Sequence, residues 1–396
     1  MSESDDNDGC SSTDEWLADK LFEYCQSNEI TEEGIHEIIQ SHKESSSDNN
    51  HEVSDHQFFR VACSNERVNE GIIRCLLEYY PDAALIVDVA DDRRLPLHYA
   101  CENNNVSIGI IRLLIDAAPD SVPHEESKGH LPLHCLCGNT NLDEATALEI
   151  LNLLLEKHPE SIRHETNEGH LPIHFAACHL SPEFCRVLIE AYPGSERIAD
   201  DKGMLPLHYA CLNNTVAIVE YLYNLYPDSI EQIASEAFYP IHVSIAAFFR
   251  GDRADPGAAV DIVKFLLSCD PRVKFQEVVQ GESLLHYVCR LNYGKSNKMV
   301  ALKIIDAIYD AHPEFIRMED EGKLPLHKFC GNTSLDEATA LEILQLLLEK
   351  HPESVRHEVI GGQLPIHIAI GASKSFKFCR VLTEAYPGSE RIAGQI

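Results

Sequence analysis

One short motif recurs along most of the chain and constrains its fold more than any other feature. Leu-Pro-Leu-His occurs at 95–98, 131–134, 205–208 and 324–327, and Leu-Pro-Ile-His at 171–174 and 364–367. Looser copies stand at 239–242 and 283–286, and a degenerate copy begins at Phe58. The histidines of the eight clearer copies are 34 to 44 residues apart. A motif that repeats at this period indicates an array of stacked repeats.

Each repeat is predicted to be a pair of helices followed by an extended turn. Proline at the second motif position favours the first turn of a helix, because its missing N–H costs nothing there. This helix is predicted to end at residues that tolerate the left-handed conformation, such as Asn103 and Asn139. A second helix with apolar residues at helical spacing follows, and a proline such as Pro352 ends it.

The two connections of a repeat differ in how much their lengths vary. The distance from the proline after the second helix to the next motif histidine is 15 residues in six of eight cases. The distance from a motif histidine to the proline of the same repeat varies from 19 to 29 residues. Surface loops tolerate insertions better than packed turns. The variable connection is therefore predicted to be an exposed loop, with the insertions at 250–257 and 292–298 on the edge opposite the extended turns.

From about residue 56 to residue 396 the sequence resembles the ankyrin-repeat family. Leu-Pro-Leu-His-Tyr-Ala-Cys at 95–101 and 205–211 is similar to the family's Thr-Pro-Leu-His-x-Ala-Ala, and a glycine precedes the motif at 129, 169, 203 and 322. The family threonine hydrogen-bonds the histidine, and leucine replaces it in six copies here. The alternative is another helical-hairpin array, such as tetratricopeptide repeats, which lack a Pro-Leu-His start.

The resemblance implies an all-α, ankyrin-type α-solenoid of about nine helix pairs joined by extended β-turn fingers. The array is predicted to span 51–396, with helix pairs near 56–81, 95–119, 131–159, 171–193, 205–227, 239–271, 283–313, 324–352 and 364–387. Residues 1–50 form an acidic N-terminal segment that is predicted to be partly disordered. Helical spacing between Trp16 and Cys25 and around Ile35 favours short capping helices in this segment, and an acidic peptide that docks a basic partner is the alternative.

A larger duplication bears on function. Residues 131–177 align without a gap to residues 324–370 and are identical at 36 of 47 positions. An enzyme has one active site, so copying a two-repeat block favours a binding surface over a catalytic one.

The composition restricts the partners and the compartment. The chain has 64 acidic and 32 basic residues, a formal net charge of −32, which disfavours binding to nucleic acid or to a membrane surface. No secretory signal and no apolar run of membrane-spanning length is visible. The 14 cysteines therefore indicate reduced thiols in an intracellular protein, either cytoplasmic or nuclear and not secreted.

The motif histidines resemble a catalytic or metal site, but they recur once per repeat. In the ankyrin family this histidine bonds the backbone of the neighbouring repeat, so a structural role is predicted. The residues concerned are His98, His134, His174, His208, His242, His286, His327 and His367. Paired Cys-x-x-Cys motifs, nucleophile motifs and nucleotide-binding motifs are absent from the sequence, so no catalytic residue, metal or cofactor is predicted.

The charged tips of the extended turns remain as candidate partner-binding residues. In ankyrin arrays such tips and the exposed face of the first helix form a concave binding surface. The candidates are Asp91, Asp92, Glu125, Glu126, Glu165, Glu168, Asp200, Asp201, Glu319, Asp320 and Glu321. The predicted function is a non-catalytic protein–protein interaction module, a scaffold, adaptor or inhibitor that binds a protein with a basic surface. The alternatives are an enzyme or enzyme subunit with a cryptic site, and an adaptor that recruits degradation or signalling machinery.

Overall fold

The computed structural model describes residues 12–45, 57–87, 92–235, 238–250, 255–269, 282–291 and 298–391. The chain divides into two compact units, residues 1–195 and 196–396. No strand longer than an isolated β-bridge occurs in the described residues, so the fold is all-α, as predicted. Among the same residues, no helix has both the length and the apolar character to cross a membrane.

The helices of each unit follow one another in pairs. The first unit contains α1 (Ser12–Gln26), α2 (Glu32–Ser45), α3 (Gln57–Ser64), α4 (Glu70–Tyr79), α5 (Pro96–Glu102), α6 (Ile108–Ala117), α7 (Pro132–Gly138), α8 (Glu144–Lys157), α9 (Pro172–His179) and α10 (Pro182–Ala191). The second unit contains α11 (Pro206–Asn213), α12 (Val216–Leu225), α13 (Pro240–Arg250), α14 (Pro256–Cys269), α15 (Leu284–Arg290), α16 (Lys298–Ala311), α17 (Pro325–Gly331), α18 (Glu337–Lys350), α19 (Pro365–Gly371) and α20 (Phe376–Ala385). We call the odd-numbered helices inner helices and the even-numbered ones outer helices.

Equivalent helices of successive pairs pack on each other. In the first unit α1 packs on α3, α3 on α5, α5 on α7 and α7 on α9, while α2 packs on α4, α4 on α6 and α6 on α8. The second unit repeats the scheme, for example α15 on α17 and α17 on α19. The helices of the acidic N-terminal segment thus stack like a further pair. The cysteines three residues after the motif histidine, such as Cys101 and Cys137, are fully buried between helices, where a thiol behaves as a small apolar group.

The motif fixes where each inner helix begins. Pro96 is the first residue of α5, and Leu95 before it is extended, with ψ at 159°. Outer helices begin at side-chain caps, since Asp143 accepts a hydrogen bond from the Thr146 amide and Ser181 accepts one from the Phe184 amide. These local signals place both helices of a repeat.

The asparagines that end the inner helices differ from the prediction. Asn103 has φ −74° and ψ 124°, so the predicted left-handed conformation is wrong. Instead its side-chain amide donates to the carbonyls of Cys63 and Asn65 in the preceding repeat, both at 2.9 Å. Such bonds satisfy carbonyls left unpaired at the end of the preceding inner helix.

This contact recurs, and we call Asn65, Asn103, Asn139 and Asn332 the asparagine ladder. Asn139 donates to the carbonyls of Cys101 and Asn103 at 3.2 and 3.3 Å, and Asn332 donates to those of Cys289 and Leu291 at 3.0 and 2.7 Å. Asn65 reaches the carbonyls of Cys25 and Ser27 at 2.8 and 2.9 Å. The ladder therefore ties the pair α1–α2 to the repeats that follow it.

The extended segment before each motif is a tight turn, which we call a finger. Gly129 has φ +82°, and its amide donates to the Glu126 carbonyl at 2.9 Å to close the turn. Neighbouring fingers are joined by backbone bonds, from the Ser127 amide to the Asp92 carbonyl at 2.7 Å and from the Asn167 amide to the Lys128 carbonyl at 2.9 Å. The insertions 250–257 and 292–298 fall largely outside the described residues, so their position stays a prediction.

Candidate partner-binding surface

Four motif histidines, His98, His134, His286 and His327, connect their inner helix to the backbone of the next finger. His134 Nδ1 accepts a hydrogen bond from the Leu131 amide at 3.0 Å, and its Nε2 donates to the His164 carbonyl at 3.2 Å. The His164 ring donates in return to the Gly129 carbonyl at 3.1 Å. His327, in the second copy of the duplicated block, makes the same two bonds. Its Nδ1 accepts from the Leu324 amide and its Nε2 donates to the His357 carbonyl.

The contact at Nδ1 recurs in most of the other motif histidines. In each of these histidines Nδ1 accepts a hydrogen bond from the backbone amide of the residue three positions earlier. They are His98, His174, His208 and His367. At the looser copy 283–286 the hydroxyl of Ser283, which occupies the family threonine position, lies 2.7 Å from His286 Nδ1. His242 is buried as well, whereas His367 is only half-buried.

Burial keeps several of these imidazoles neutral. Removal from water lowers the pKa of His134 to about 3, and lowers the pKa of His98, His242 and His327 to about 4. At neutral pH each of these rings therefore has one donor and one acceptor nitrogen. In His98, His134 and His327 both nitrogens are hydrogen-bonded to backbone.

Three of the candidate acidic residues are buried inside their own fingers. Glu126 Oε1 accepts hydrogen bonds from the backbone amides of Lys128 and His130 at 2.9 and 3.1 Å. Burial acts to raise the pKa of Glu126, but the hydrogen bonds from His130 and Lys128 lower it below its usual value. This carboxylate stabilises the finger from within.

Asp200 and Asp320 act in a similar way. Asp200 accepts from the amides of Lys202 and Met204 and from the Tyr209 hydroxyl, which lies 2.6 Å away. Asp320 Oδ2 lies 2.6 Å from Lys328 Nζ, and both side chains are largely buried. The signal in the sequence is the position, since Glu126 and Asp200 each stand five residues before a motif leucine. The three buried acids thus bind groups of their own turn or of the inner helix that follows it.

The remaining described candidates lie on the surface of the fingers, and Asp91 lies outside the described residues. The exposed ones are Asp92, Glu125, Glu165, Glu168, Asp201, Glu319 and Glu321. Glu125 Oε1 is 3.6 Å from His164 Nε2, and Glu319 Oε1 is 3.6 Å from His357 Nε2 in the duplicated block. Ion pairs at such exposed positions add little to stability, so these carboxylates are available to a partner.

A cleft of about 560 Å³ opens in the first unit between the fingers and the inner helices α5 and α7. Arg94 lies across it, with Nη2 2.5 Å from Glu102 Oε1 and 3.3 Å from Cys135 Sγ. Burial acts to lower the pKa of Arg94, but the Glu102 carboxylate raises it above its usual range. The cleft is therefore polar, and its main charges are paired with each other.

Burial suppresses the ionisation of the thiols that lie on the inner helices. Burial raises the pKa of Cys135 to about 12 and that of Cys101 and Cys137 well above the usual thiol value, so none is a thiolate at neutral pH. Within the residues that the structure describes, no cluster of three or more His, Cys, Asp or Glu could hold a metal ion.

Comparison with known families agrees with this architecture. Residues 144–232 match the family model described as ankyrin repeats in three copies. The match supports an ankyrin-repeat protein, so the predicted family and the predicted all-α, ankyrin-type fold are confirmed. Ankyrin repeats indicate a protein–protein interaction module, and the family is generally non-catalytic. No curated protein matches the chain.

Proposed function

We propose that the chain holds a protein partner, as a scaffold, adaptor or inhibitor, on the surface formed by the fingers and inner helices. The observation that carries the proposal is the division of the finger acids. Glu126, Asp200 and Asp320 turn inward and hold the fingers, whereas carboxylates such as Glu125, Glu165 and Glu319 lie exposed. The fingers are thereby held in place by groups that do not compete for the partner.

The charge of the chain specifies the class of partner. A net charge of −32 with exposed carboxylates on successive fingers attracts a protein with a basic surface and repels nucleic acid and anionic membranes. Ankyrin-repeat proteins are typically intracellular, and we place this one in the cytoplasm or the nucleus. The interaction is non-catalytic and requires no cofactor.

Site-specific photo-crosslinking tests which surface is used. A benzophenone amino acid is introduced in the fingers, at position 125, 165 or 319, and on the outer helices, at exposed positions 152 and 345. We expect covalent adducts with other proteins of a native lysate from the finger positions only. Adducts that form equally well from the outer helices, or only from them, would contradict the proposal.

Charge reversal tests the role of the carboxylates. With a cross-linked partner identified, Glu125→Lys, Glu165→Lys and Glu319→Lys together are expected to slow association about tenfold or more at low salt, with a smaller effect at high salt. The matched control reverses Asp116, Glu156 and Glu349, which are exposed on outer helices. An equal loss in the control would show that only the overall charge matters.

A further inference from the structure

The second unit contains a cleft at the repeat position of the polar cleft in the first unit. Leu-Pro-Leu-His-Tyr-Ala-Cys occurs twice, flanked by Arg94 and Glu102 in the first unit and by Met204 and Leu212 in the second. The first pair of flanking residues lines the polar cleft, and the second pair lines a cleft of about 320 Å³ between α11 and α13. The two clefts thus share a backbone frame and differ in their side chains.

Polar lining residues of the first cleft are replaced by apolar residues in the second. In the next repeat of each unit, His130 corresponds to Phe238, Cys135 to Val243 and Asn139 to Ala247. The inward-turned Glu126 corresponds to Ala234. The second cleft is therefore an apolar recess, with Lys202 and Ser235 of two joined fingers at its edge.

The apolar recess remains partly accessible to solvent. Met204, Leu212 and Phe238 are half-buried, whereas Val243 and Ala247 form a buried floor. The first cleft satisfies its polar groups internally through the ion pair between Arg94 and Glu102. The second cleft has no such pair among its lining residues. Its exposed apolar surface is stabilised when water is excluded from it, and an apolar group of another molecule would exclude that water.

The size of the recess favours a side chain as its occupant. A volume of about 320 Å³ is at the lower end of the range for sites that enclose whole small molecules, which runs from about 300 to 1,000 Å³. Interfaces commonly obtain most of their affinity from a few bulky side chains that enter such recesses near the centre of the contact. The recess matches one such anchor.

The side chain could come from a second copy of this chain or from a different protein, and the charge of the chain distinguishes these two sources. A second copy would bring another net charge of −32 to the surface and would be repelled, whereas a basic segment would be attracted. We propose that the recess of the second unit, formed by Met204, Leu212, Phe238, Val243 and Ala247, binds one bulky apolar side chain of a basic segment of the partner protein. This inference rests on the proposed function and specifies the partner's contact residue.

Methyl NMR with defined peptides tests the proposal on the full chain. The probe is Gly-Lys-Arg-Leu-Arg-Lys-Gly, and the control peptide has Ala in place of Leu. We expect the Leu peptide to shift the methyl signals of Met204, Leu212 and Val243 and to bind at least about tenfold more tightly than the Ala peptide. Equal affinities, or no shift of these methyl groups at millimolar peptide, would overturn the proposal.

A paired substitution provides the matched variant. Met204→Arg together with Leu212→Glu installs in the second unit the ion pair that the first unit already holds at the same position, so the variant is expected to fold. It should lose at least about tenfold in affinity for the Leu peptide, whereas Arg94→Met with Glu102→Leu should not. An unchanged affinity would overturn the proposal. The peptide comparison on the unsubstituted chain gives an independent answer if the variant proves unstable.

Failure of the recess proposal and failure of the proposed function would give different experimental outcomes. Finger cross-links at positions 125 and 165 that persist while the Leu and Ala peptides bind equally would leave the interaction surface in place and exclude the apolar anchor. Loss of the finger cross-links would instead count against the interaction surface itself. Sedimentation that shows concentration-dependent self-association blocked by Met204→Arg with Leu212→Glu would assign the recess to a second copy and overturn the proposed occupant.

Discussion

The two copies of the duplicated block, residues 131–177 in the first unit and 324–370 in the second, separate what a repeat needs for folding from what it can change. The outer helices α8 and α18 differ only at the exposed residues Asn152 and Gln345. By contrast, four of the eleven differences fall in the finger, at 166–168 and 170 against 359–361 and 363. Four more differences fall in the inner helices, at 135, 136, 175 and 177 against 328, 329, 368 and 370. The outer helix was kept, whereas the finger and the inner helices were altered, as expected if these two elements form the partner-binding surface.

The two fingers are also stabilised by different means. In the first copy Thr166 Oγ1 accepts from the His170 amide at 3.1 Å, and the Asn167 side chain donates to the Ser127 carbonyl at 3.0 Å. In the second copy Ile360 is 89% exposed, and Gly361, in place of Glu168, has positive φ, whereas Gly169 and the equivalent Gly362 both have positive φ. Side-chain hydrogen bonds hold the first finger, and the conformational freedom of Gly361 permits the second. The same helix pair therefore accepts fingers of different chemistry.

Acid should destabilise both copies together, and this is the largest effect we expect. The folded pKa is about 3 for His134 and about 4 for His327, below the value near 6.5 in an unfolded chain, so the unfolded state binds protons first as pH falls. Stability should be complete above about pH 6.5 and fall by several kcal/mol as the pH approaches 4. Urea unfolding at a series of pH values measures this, and a constant midpoint between pH 7 and 4 would contradict it.

Removing one histidine should cost nearly the same in either copy. His134→Ala or His327→Ala leaves a buried amide and a buried carbonyl without their partner and creates a cavity, so we expect a loss of about 3 kcal/mol in the free energy of unfolding. Asn152→Ala, on the exposed side of α8, serves as the control and should change it by less than about 0.5 kcal/mol. A clear loss in one copy alone would show that the two blocks are not structurally equivalent.

The asparagine ladder should contribute a smaller, matched amount. Asn139→Ala and Asn332→Ala each remove two bonds to carbonyls of the preceding inner helix, and we expect a loss of about 1.5 kcal/mol from each. Hydrogen exchange should show faster opening at the end of the preceding inner helix, α5 or α15. If neither the unfolding midpoint nor the exchange rate changes, the ladder does not stabilise the stack.

The smallest expected effect sharpens the contrast between the fingers. Ile360→Asn restores the residue of the first copy at an exposed tip and should change the free energy of unfolding by less than about 0.5 kcal/mol. If the fingers contact the partner, the same substitution should alter binding measurably. A large change in thermal stability would mean that Ile360 supports the fold, contrary to its exposure.

The starts of the inner helices could be predicted because their determinants are local. Pro96 and His98 act within one turn of α5, and the constant distance from proline to histidine reflects the finger. The ends of the inner helices could not be predicted in the same way. Asn103 and Asn139 are extended because their side chains bond carbonyls almost forty residues earlier in the chain, a contact that composition and spacing do not reveal.

By itself the sequence determined the family, the helix pairs and the acidic character of the chain. Only the tertiary structure decided which finger acids turn inward, because Glu126 and Glu125 are adjacent and equally charged, yet the first is buried and the second is exposed. It also decided that Met204 and Leu212 flank an apolar recess where Arg94 and Glu102 form an ion pair. The recess at Met204 and Leu212 is completed by Phe238, Val243 and Ala247 of the next repeat, so it exists only once the repeats have stacked.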